Sequence, residues 1–128
     1  MKSIEVVAAV IIADNKVFAT QRGYGDYKDM WEFPGGKMEP GETRQQALAR
    51  EIQEELATTV DVGEFIGTSE YTYAKAHVVL HFYACSVVSG NLQLLEHEAA
   101  RWLGKHELDS VEWLPADLEI IPQIHALL

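Results

Sequence analysis

The sequence has little positive charge, one cysteine and no long hydrophobic run, and each shortage excludes a class of protein. Ten lysines and arginines stand against 20 acidic residues, which gives a formal net charge of −10. A sequence-independent nucleic-acid surface needs a basic face, so we expect no nucleic-acid polymer as a partner. A small anionic substrate is compatible with this charge if a divalent cation lies between it and the carboxylates.

The single cysteine, Cys85, excludes an internal disulfide and a cysteine metal cluster, and its apolar surroundings predict a buried thiol. The longest apolar run, residues 6–13, is shorter than the roughly 20 residues that span a bilayer. Its charged flanks are not typical of a signal peptide, so we expect no membrane association and a cytoplasmic location. The length of 128 residues, without repeats or linkers, fits one domain.

Stretches rich in β-branched and alternating apolar residues predict a strand-dominated chain. The expected strands cover residues 4–12, 17–21, 61–69, 78–88 and 99–103, with a short extended piece at 31–33. A short helical turn is expected at 104–108, and a terminal helix at 117–128 whose start Pro122 leaves open. These elements indicate the α/β class, with a mixed sheet covered by helices.

One central helix is predicted over residues 44–56. Thr43 followed by Gln46 resembles a capping box, which marks a helix N-terminus. Apolar residues at four-residue steps form a stripe that should face the core: Leu48, Ile52 and Leu56.

Three carboxylates of this helix, Glu51, Glu54 and Glu55, share an arc of about 100° beside the apolar stripe. Like charges three or four residues apart each cost about 0.2–0.5 kcal/mol, and the helix dipole disfavours anions near the C-terminus. Arg50, four residues before Glu54, is the one local cation that offsets this cost. The cluster is either a solvated acidic face or a set of oxygen ligands for Mg²⁺ or Mn²⁺; its place beside the core favours metal.

With the glycine loop before the helix, these residues resemble the Nudix box, G-x5-E-x7-R-E-U-x-E-E-x-G-U, where U is a bulky aliphatic. Gly36 opens the pattern, Glu42 follows after five residues, and the segment 50–55 follows after seven more. Two positions depart, since Ala57 stands in place of glycine and Thr58 in place of an aliphatic residue. Both lie just past the helix, so we expect a changed C-terminal cap rather than lost chemistry.

The similarity to MutT-type and CTP-pyrophosphohydrolase-type members extends beyond the box. Residues 31–37 resemble the segment that enters the box in those members, and residues 115–117 resemble a segment that contributes to the base pocket. Residues 95–98 resemble a downstream loop that lends another carboxylate, here Glu96, with Glu98 as its nearest rival.

This resemblance implies a Nudix α/β/α sandwich and the reaction NTP + H₂O → NMP + pyrophosphate, with Mg²⁺ (or Mn²⁺) as cofactor. The implied metal ligands are the Gly35 carbonyl, Glu51, Glu54, Glu55 and Glu96. The implied catalytic set is Glu51, Glu54, Glu55, Arg50 and Glu96, in which Glu54 or Glu96 takes the proton from water. Within that set Arg50, together with Glu42, is expected to orient the helix and the ligands.

The resemblance also implies residues that bind substrate, each with a structural alternative. Arg22 and Lys37 are candidates for phosphate contacts or for structural pairing. Phe33 and Tyr73 are expected either to line the base pocket or to pack in the core. Asp117 is expected to touch the base, to cap the last helix, or both.

The leading functional hypothesis is an enzyme that hydrolyses normal or oxidised nucleoside triphosphates, acting on a small molecule as a monomer or homodimer. CTP or dCTP and 8-oxo-dGTP remain open as substrates. A second hypothesis keeps the fold but changes the substrate to ADP-ribose or a dinucleotide. A third is a Nudix-like module that binds a nucleotide without cutting it.

Overall fold

The computed structural model describes residues 2–128 and contains a mixed β-sheet between two helical layers. The strands are β1 (Ser3–Ala13), β2 (Lys16–Arg22), β3 (Trp31–Glu32), β4 (Gly35–Lys37), β5 (Thr59–Thr72), β6 (His77–Ser89) and β7 (His97–Gly104). The helices are α1 (Arg44–Leu56), a 3₁₀ helix (Lys105–Ser110), α2 (Pro115–Leu118) and α3 (Ile121–Leu127).

The sheet runs in the order β3-β2-β1-β6-β5, with β4 added to β1 and β7 added to β2. The β1–β6 pair is parallel, and the other pairs are antiparallel. Side chains of β1 alternate between two buried clusters: Val7, Ala9 and Ile11 pack with α1, whereas Ala8 and Val10 pack with α2 and α3. The predicted α/β/α sandwich around a mixed sheet is therefore confirmed.

Helix α1 begins and packs as predicted. The Thr43 hydroxyl accepts the Gln46 amide N–H at 3.1 Å, and the Gln46 side chain accepts the Thr43 N–H at 2.9 Å, which completes the capping box. The apolar stripe formed by Leu48, Ile52 and Leu56 is fully buried against the sheet. Burial of this stripe brings the carboxylates beside it to the sheet edge.

The C-terminus of α1 shows the changed cap that its departures from the Nudix box predict. Ala57 adopts the left-handed conformation (φ 50°, ψ 41°) in which glycine is usual, and its N–H bonds to the Gln53 carbonyl. The buried Thr58 hydroxyl donates to the Leu56 carbonyl and accepts the Leu92 N–H, both at 2.9 Å. A threonine thus closes the helix with hydrogen bonds instead of apolar packing.

The terminal segment differs from its prediction. It forms two short helices, because Pro115 begins α2 two residues before the predicted start and Pro122 lies in the first turn of α3. The expectation that Asp117 caps the last helix is therefore wrong, since Asp117 lies inside α2 and is buried. The predicted core thiol is confirmed: Cys85 is buried, and burial raises its pKa to about 12. No helix within residues 2–128 is long and apolar enough to cross a bilayer.

Ala57→Gly should stabilise the fold by about 0.5–1 kcal/mol, because glycine removes the steric cost of a left-handed residue. Equilibrium urea unfolding measures this change. The matched control is Ala49→Gly in the exposed interior of the same helix, which should destabilise by a similar amount. A loss of stability in Ala57→Gly would contradict the assigned cap.

Candidate active site

A cavity of about 570 Å³ is lined by parts of β1 and β6 and is reached by side chains from both helical layers. Its walls include Glu55 from α1, Glu96 from the loop before β7, and Asp117 from α2. Such a concave site with a few converging polar groups is typical of a small-molecule pocket.

Arg50 organises the carboxylates of α1. Its guanidinium holds Glu42 through two contacts of 2.7 and 3.0 Å, and it contacts Glu51 at 2.9 Å and Glu54 at 3.2 Å. It also donates to the Lys37 carbonyl at 3.0 Å. The Arg50–Glu42 bonds lower the pKa of the Glu42 carboxyl group. All of these contacts join Arg50 to carboxylates or to a carbonyl group of the chain itself. The geometry therefore supports the orienting role expected for Arg50 and Glu42.

Glu55 is the most buried carboxylate of the helix. Its Oε1 atom accepts the Gly35 N–H at 3.1 Å. Burial, followed by the negative charges of Glu51 and Glu32, raises its pKa to about 8. A carboxylate taken out of water beside other carboxylates is unfavourable in a purely structural role, so this donor set fits a hard divalent cation.

The other two helix carboxylates have different environments. Glu51 lies against Gly36, where an added Cβ would stand 2.4 Å from the Glu51 carboxyl, and burial raises the Glu51 pKa. The Glu54 side chain is 58% exposed. Within residues 2–128 no three acidic, histidine or cysteine side chains already stand in metal-binding geometry. One Glu51 oxygen accepts a hydrogen bond from Arg50 at 2.9 Å.

The structure distinguishes Glu96 from its rival Glu98. Glu96 lines the cavity, and its charge contributes to the raised pKa values of Glu51 and Glu55. Glu98 is instead bonded to Lys28 on the surface. Glu96 is therefore the carboxylate of this loop that the fold brings to the helix acids.

Two residues near the site received no role from the sequence, Glu32 and His97. The His97 Nε2 atom lies 3.5 Å from a Glu32 oxygen and 4.0 Å from a Glu55 oxygen, and its buried Nδ1 has no hydrogen-bond partner. Although burial disfavours its charge, Glu32 has a lowered pKa because His97 and Arg22 bond to it. The pairing of Arg22 with His97 across β2 and β7 creates this cluster, and no local sequence signal reveals that register.

The two basic candidates lie in different settings. The Arg22 guanidinium pairs with Glu32 at 2.9 Å and donates to the Asp26 carbonyl at 3.2 Å, so structural pairing describes its contacts. Lys37 is exposed at the cavity wall. Arg22 lines the same cavity, so both residues stay candidates for a phosphate contact, and Lys37 is the more exposed of the two.

The α2 side of the cavity is aromatic and holds the buried acid Asp117, whose charge is disfavoured. Phe33 is buried and stacks on Trp113, with ring centroids 4.7 Å apart, while its N–H donates to the Asp117 carboxyl at 2.9 Å. Burial and the charge of Glu32 raise the pKa of Asp117 well above its usual value. An uncharged carboxyl group both donates and accepts hydrogen bonds, which suits it to the edge of a nucleobase.

Comparison with known proteins agrees with this geometry. The family model described as NUDIX domain matches residues 3–124. The chain is 38% identical over 128 residues to a CTP pyrophosphohydrolase of Escherichia coli K12, covering 99% of this chain and 95% of that protein. It is 31% identical over 125 residues to an 8-oxo-dGTP diphosphatase of Haemophilus influenzae, covering 96% and 92%. The solution structure of the E. coli ORF135 protein superposes with a TM-score of 0.85 at 38% identity, covering 99% and 91%.

Glu55→Gln should raise the melting temperature of the metal-free protein at pH 8. The pKa of Glu55 lies at about 8 in the fold against an ordinary value of 4.5, so the metal-free fold loses stability as pH rises through this window. A glutamine accepts the Gly35 N–H without a charge, so the melting temperature of the variant should vary less between pH 5 and pH 8. Thermal denaturation with a chelator present measures both effects.

The control for this experiment is Glu64→Gln, which removes the same charge from an exposed strand position. It should leave the pH profile of the melting temperature unchanged. If Glu55→Gln melts below the wild type at pH 8 without metal, the burial penalty assigned to Glu55 is wrong.

Proposed function

Since this chain belongs to the NUDIX family, we propose that it hydrolyses a phosphoanhydride bond of nucleoside triphosphates, releasing a nucleoside monophosphate and pyrophosphate. The observation that carries this proposal is the buried Glu55 carboxylate in the wall of a cavity that also contains the buried acid Asp117, whose pKa is raised. The first group suits a cation that binds polyphosphate, and the second suits a base.

The proposed ligands for Mg²⁺ or Mn²⁺ are Glu51, Glu54, Glu55, Glu96 and the Gly35 carbonyl. When bound, such a cation supplies neutralisation of the polyphosphate charge and activation of water. The raised pKa values of Glu51 and Glu55 support this set, because burial disfavours the charge of both carboxylates, at Glu51 even against the contact with Arg50. The chain itself orients the set, through Arg50 on the outer side and the Gly35 N–H on the inner side.

Proton transfer and phosphate binding are assigned to more exposed side chains at the site. Glu54 and Glu96 are exposed carboxylates, and we propose them as alternatives for accepting the proton of the attacking water. Lys37 and Arg22, which both line the cavity, are proposed to contact the phosphates. Glu55 is less suited to receive the proton, because its inner oxygen is already engaged by Gly35.

The finer substrate class is a CTP- or dCTP-like pyrimidine nucleotide or an 8-oxo-dGTP-like oxidised purine. The names of the two relatives support both. Asp117, which bonds the Phe33 N–H through one oxygen, keeps a group able to donate or accept for the base. The cellular consequence of either specificity would be sanitation of the nucleotide pool.

Glu55→Gln should lower the turnover of nucleoside triphosphates by at least about 100-fold, because a metal ligand contributes several kcal/mol of charge stabilisation. Pyrophosphate release from a panel of normal and oxidised (d)NTPs with Mg²⁺ measures the rate, and Mn²⁺ calorimetry without nucleotide should show weaker binding. Glu64→Gln should match the wild type in both assays.

The same panel separates the other hypotheses. AMP release from ADP-ribose that exceeds all triphosphate hydrolysis would favour an ADP-ribose or dinucleotide pyrophosphatase. Nucleotide binding without any turnover would favour a module that binds a nucleotide without cutting it. An unchanged rate in Glu55→Gln would refute the metal assignment.

Asp117→Asn should shift base preference while preserving the fold, because the carboxyl group and the amide have the same shape. If the amide oxygen keeps the Phe33 N–H, only donor hydrogens remain for the base. KM should then rise for cytosine nucleotides, which present an amino group, relative to uracil nucleotides, which present a carbonyl. Steady-state kinetics with CTP and UTP measure this ratio, and an unchanged ratio would separate Asp117 from base recognition.

A further inference from the structure

A loop between β2 and β3, residues 23–29, brings two tyrosines to the cavity. Tyr24 and Tyr27 both line its wall. The loop is held at its base by backbone bonds, from the Asp29 N–H to the Arg22 carbonyl at 2.8 Å and from the Met30 N–H to the Tyr27 carbonyl at 3.1 Å. Its position over the cavity is therefore set by the end of β2.

Tyr27 has an unusual backbone conformation. Its φ of 63° lies in the left-handed region, which a bulky side chain rarely adopts. Such conformations persist where the surroundings impose them, and they are frequent at ligand clamps. Here the conformation directs the Tyr27 ring toward Tyr73, with ring centroids 5.2 Å apart and ring planes at 75°.

Tyr73 is itself held firmly beside the base-side acid. Its hydroxyl accepts the Ala116 N–H at 3.2 Å, next to Asp117 in the chain. On another side its ring packs on Tyr71, with centroids 4.7 Å apart. Two nearly perpendicular rings form a corner that fits a flat aromatic group, which can lie on one face and meet the other ring at its edge.

We propose that Tyr27 is a specificity-determining residue whose ring contacts the base of the substrate and forms, with Tyr73, the aromatic corner of the base site. The proposal rests on the proposed function and adds to it a contact that does not touch the phosphates. The ring favours nucleotides over polyphosphates that lack a base, because every nucleobase has a π-face for stacking.

The test removes the ring without disturbing its backbone. Asparagine tolerates the left-handed conformation, so Tyr27→Asn keeps the loop and loses the ring. KM for CTP should rise by between about 5- and 150-fold, the range that corresponds to a lost base–aromatic contact of about 1–3 kcal/mol. The turnover number should change little, and Tyr27→Phe should stay within about twofold of the wild-type KM because the ring is what stacks.

Two controls separate base contact from loop damage. The competitive inhibition constant of inorganic tripolyphosphate, which has no base, should stay unchanged in Tyr27→Asn. Tyr71→Thr removes a ring of equal exposure, 38% against 39%, that packs on the same Tyr73 but does not line the cavity. KM in this variant should rise much less than in Tyr27→Asn.

The outcomes divide as follows. Any one of four results would overturn the proposal. The first two are an unchanged KM in Tyr27→Asn and an equal rise of KM in Tyr71→Thr. The others are weaker tripolyphosphate inhibition of Tyr27→Asn and a KM in Tyr27→Phe that rises as much as in Tyr27→Asn. If the wild type cleaves no nucleotide, the proposed function fails, but calorimetry with CMP still decides the role of the ring. CMP binding that is weakened in Tyr27→Asn supports it, whereas equal or absent CMP binding in the wild type and the variant overturns it.

Discussion

The whole site depends on how closely α1 approaches the sheet at β4. A side chain at Gly35 would collide with the backbone of Val7 in β1, at 1.9 Å from its carbonyl oxygen. A side chain at Gly36 would occupy the position of the Glu51 carboxyl. Because both positions are glycine, β4 packs directly on β1 and the helix lies close enough for the Gly35 N–H to bond Glu55. The apolar stripe of α1 supplies the burial that holds this arrangement together.

The charges of α1 are distributed unevenly around that contact. Arg50 binds the acids on the outer side of the helix, so the repulsion expected between neighbouring glutamates is largely relieved there. Glu55 feels the negative charges of Glu51 and Glu32, and it accepts the Gly35 N–H, while His97 Nε2 lies 4.0 Å from its other oxygen. The helix therefore stabilises its own orientation with one cation and leaves the innermost carboxylate poorly compensated, which is the property that a metal ligand needs.

The sequence could predict those features that depend on interactions between residues close to one another in the chain. Helix α1, its capping box and its buried stripe depend on residues a few positions apart, and all three are confirmed. The Nudix box is also local, because most of its specified residues lie on one helix, while Gly36 lies in β4 and Glu42 in the turn between them. The position of Asp117 was wrong as a helix cap, because a proline two residues earlier begins the helix first. The Glu32–His97 pair depends on the register of β2 with two different strands, which no local pattern specifies.

Glu32 links the two halves of the cavity through its charge. Bonds from His97 and Arg22 keep it ionised despite its burial, as its lowered pKa records. That negative charge then contributes to the raised pKa of Glu55 on the α1 side and of Asp117 on the α2 side. In a buried site of low dielectric, one carboxylate held in its charged form disfavours a second charge on each neighbour. Together with burial, which is the larger cause, the charge of Glu32 therefore disfavours a charge on Asp117 and adds to the negative potential that favours a cation at Glu55. Neither effect requires Glu32 to touch the substrate.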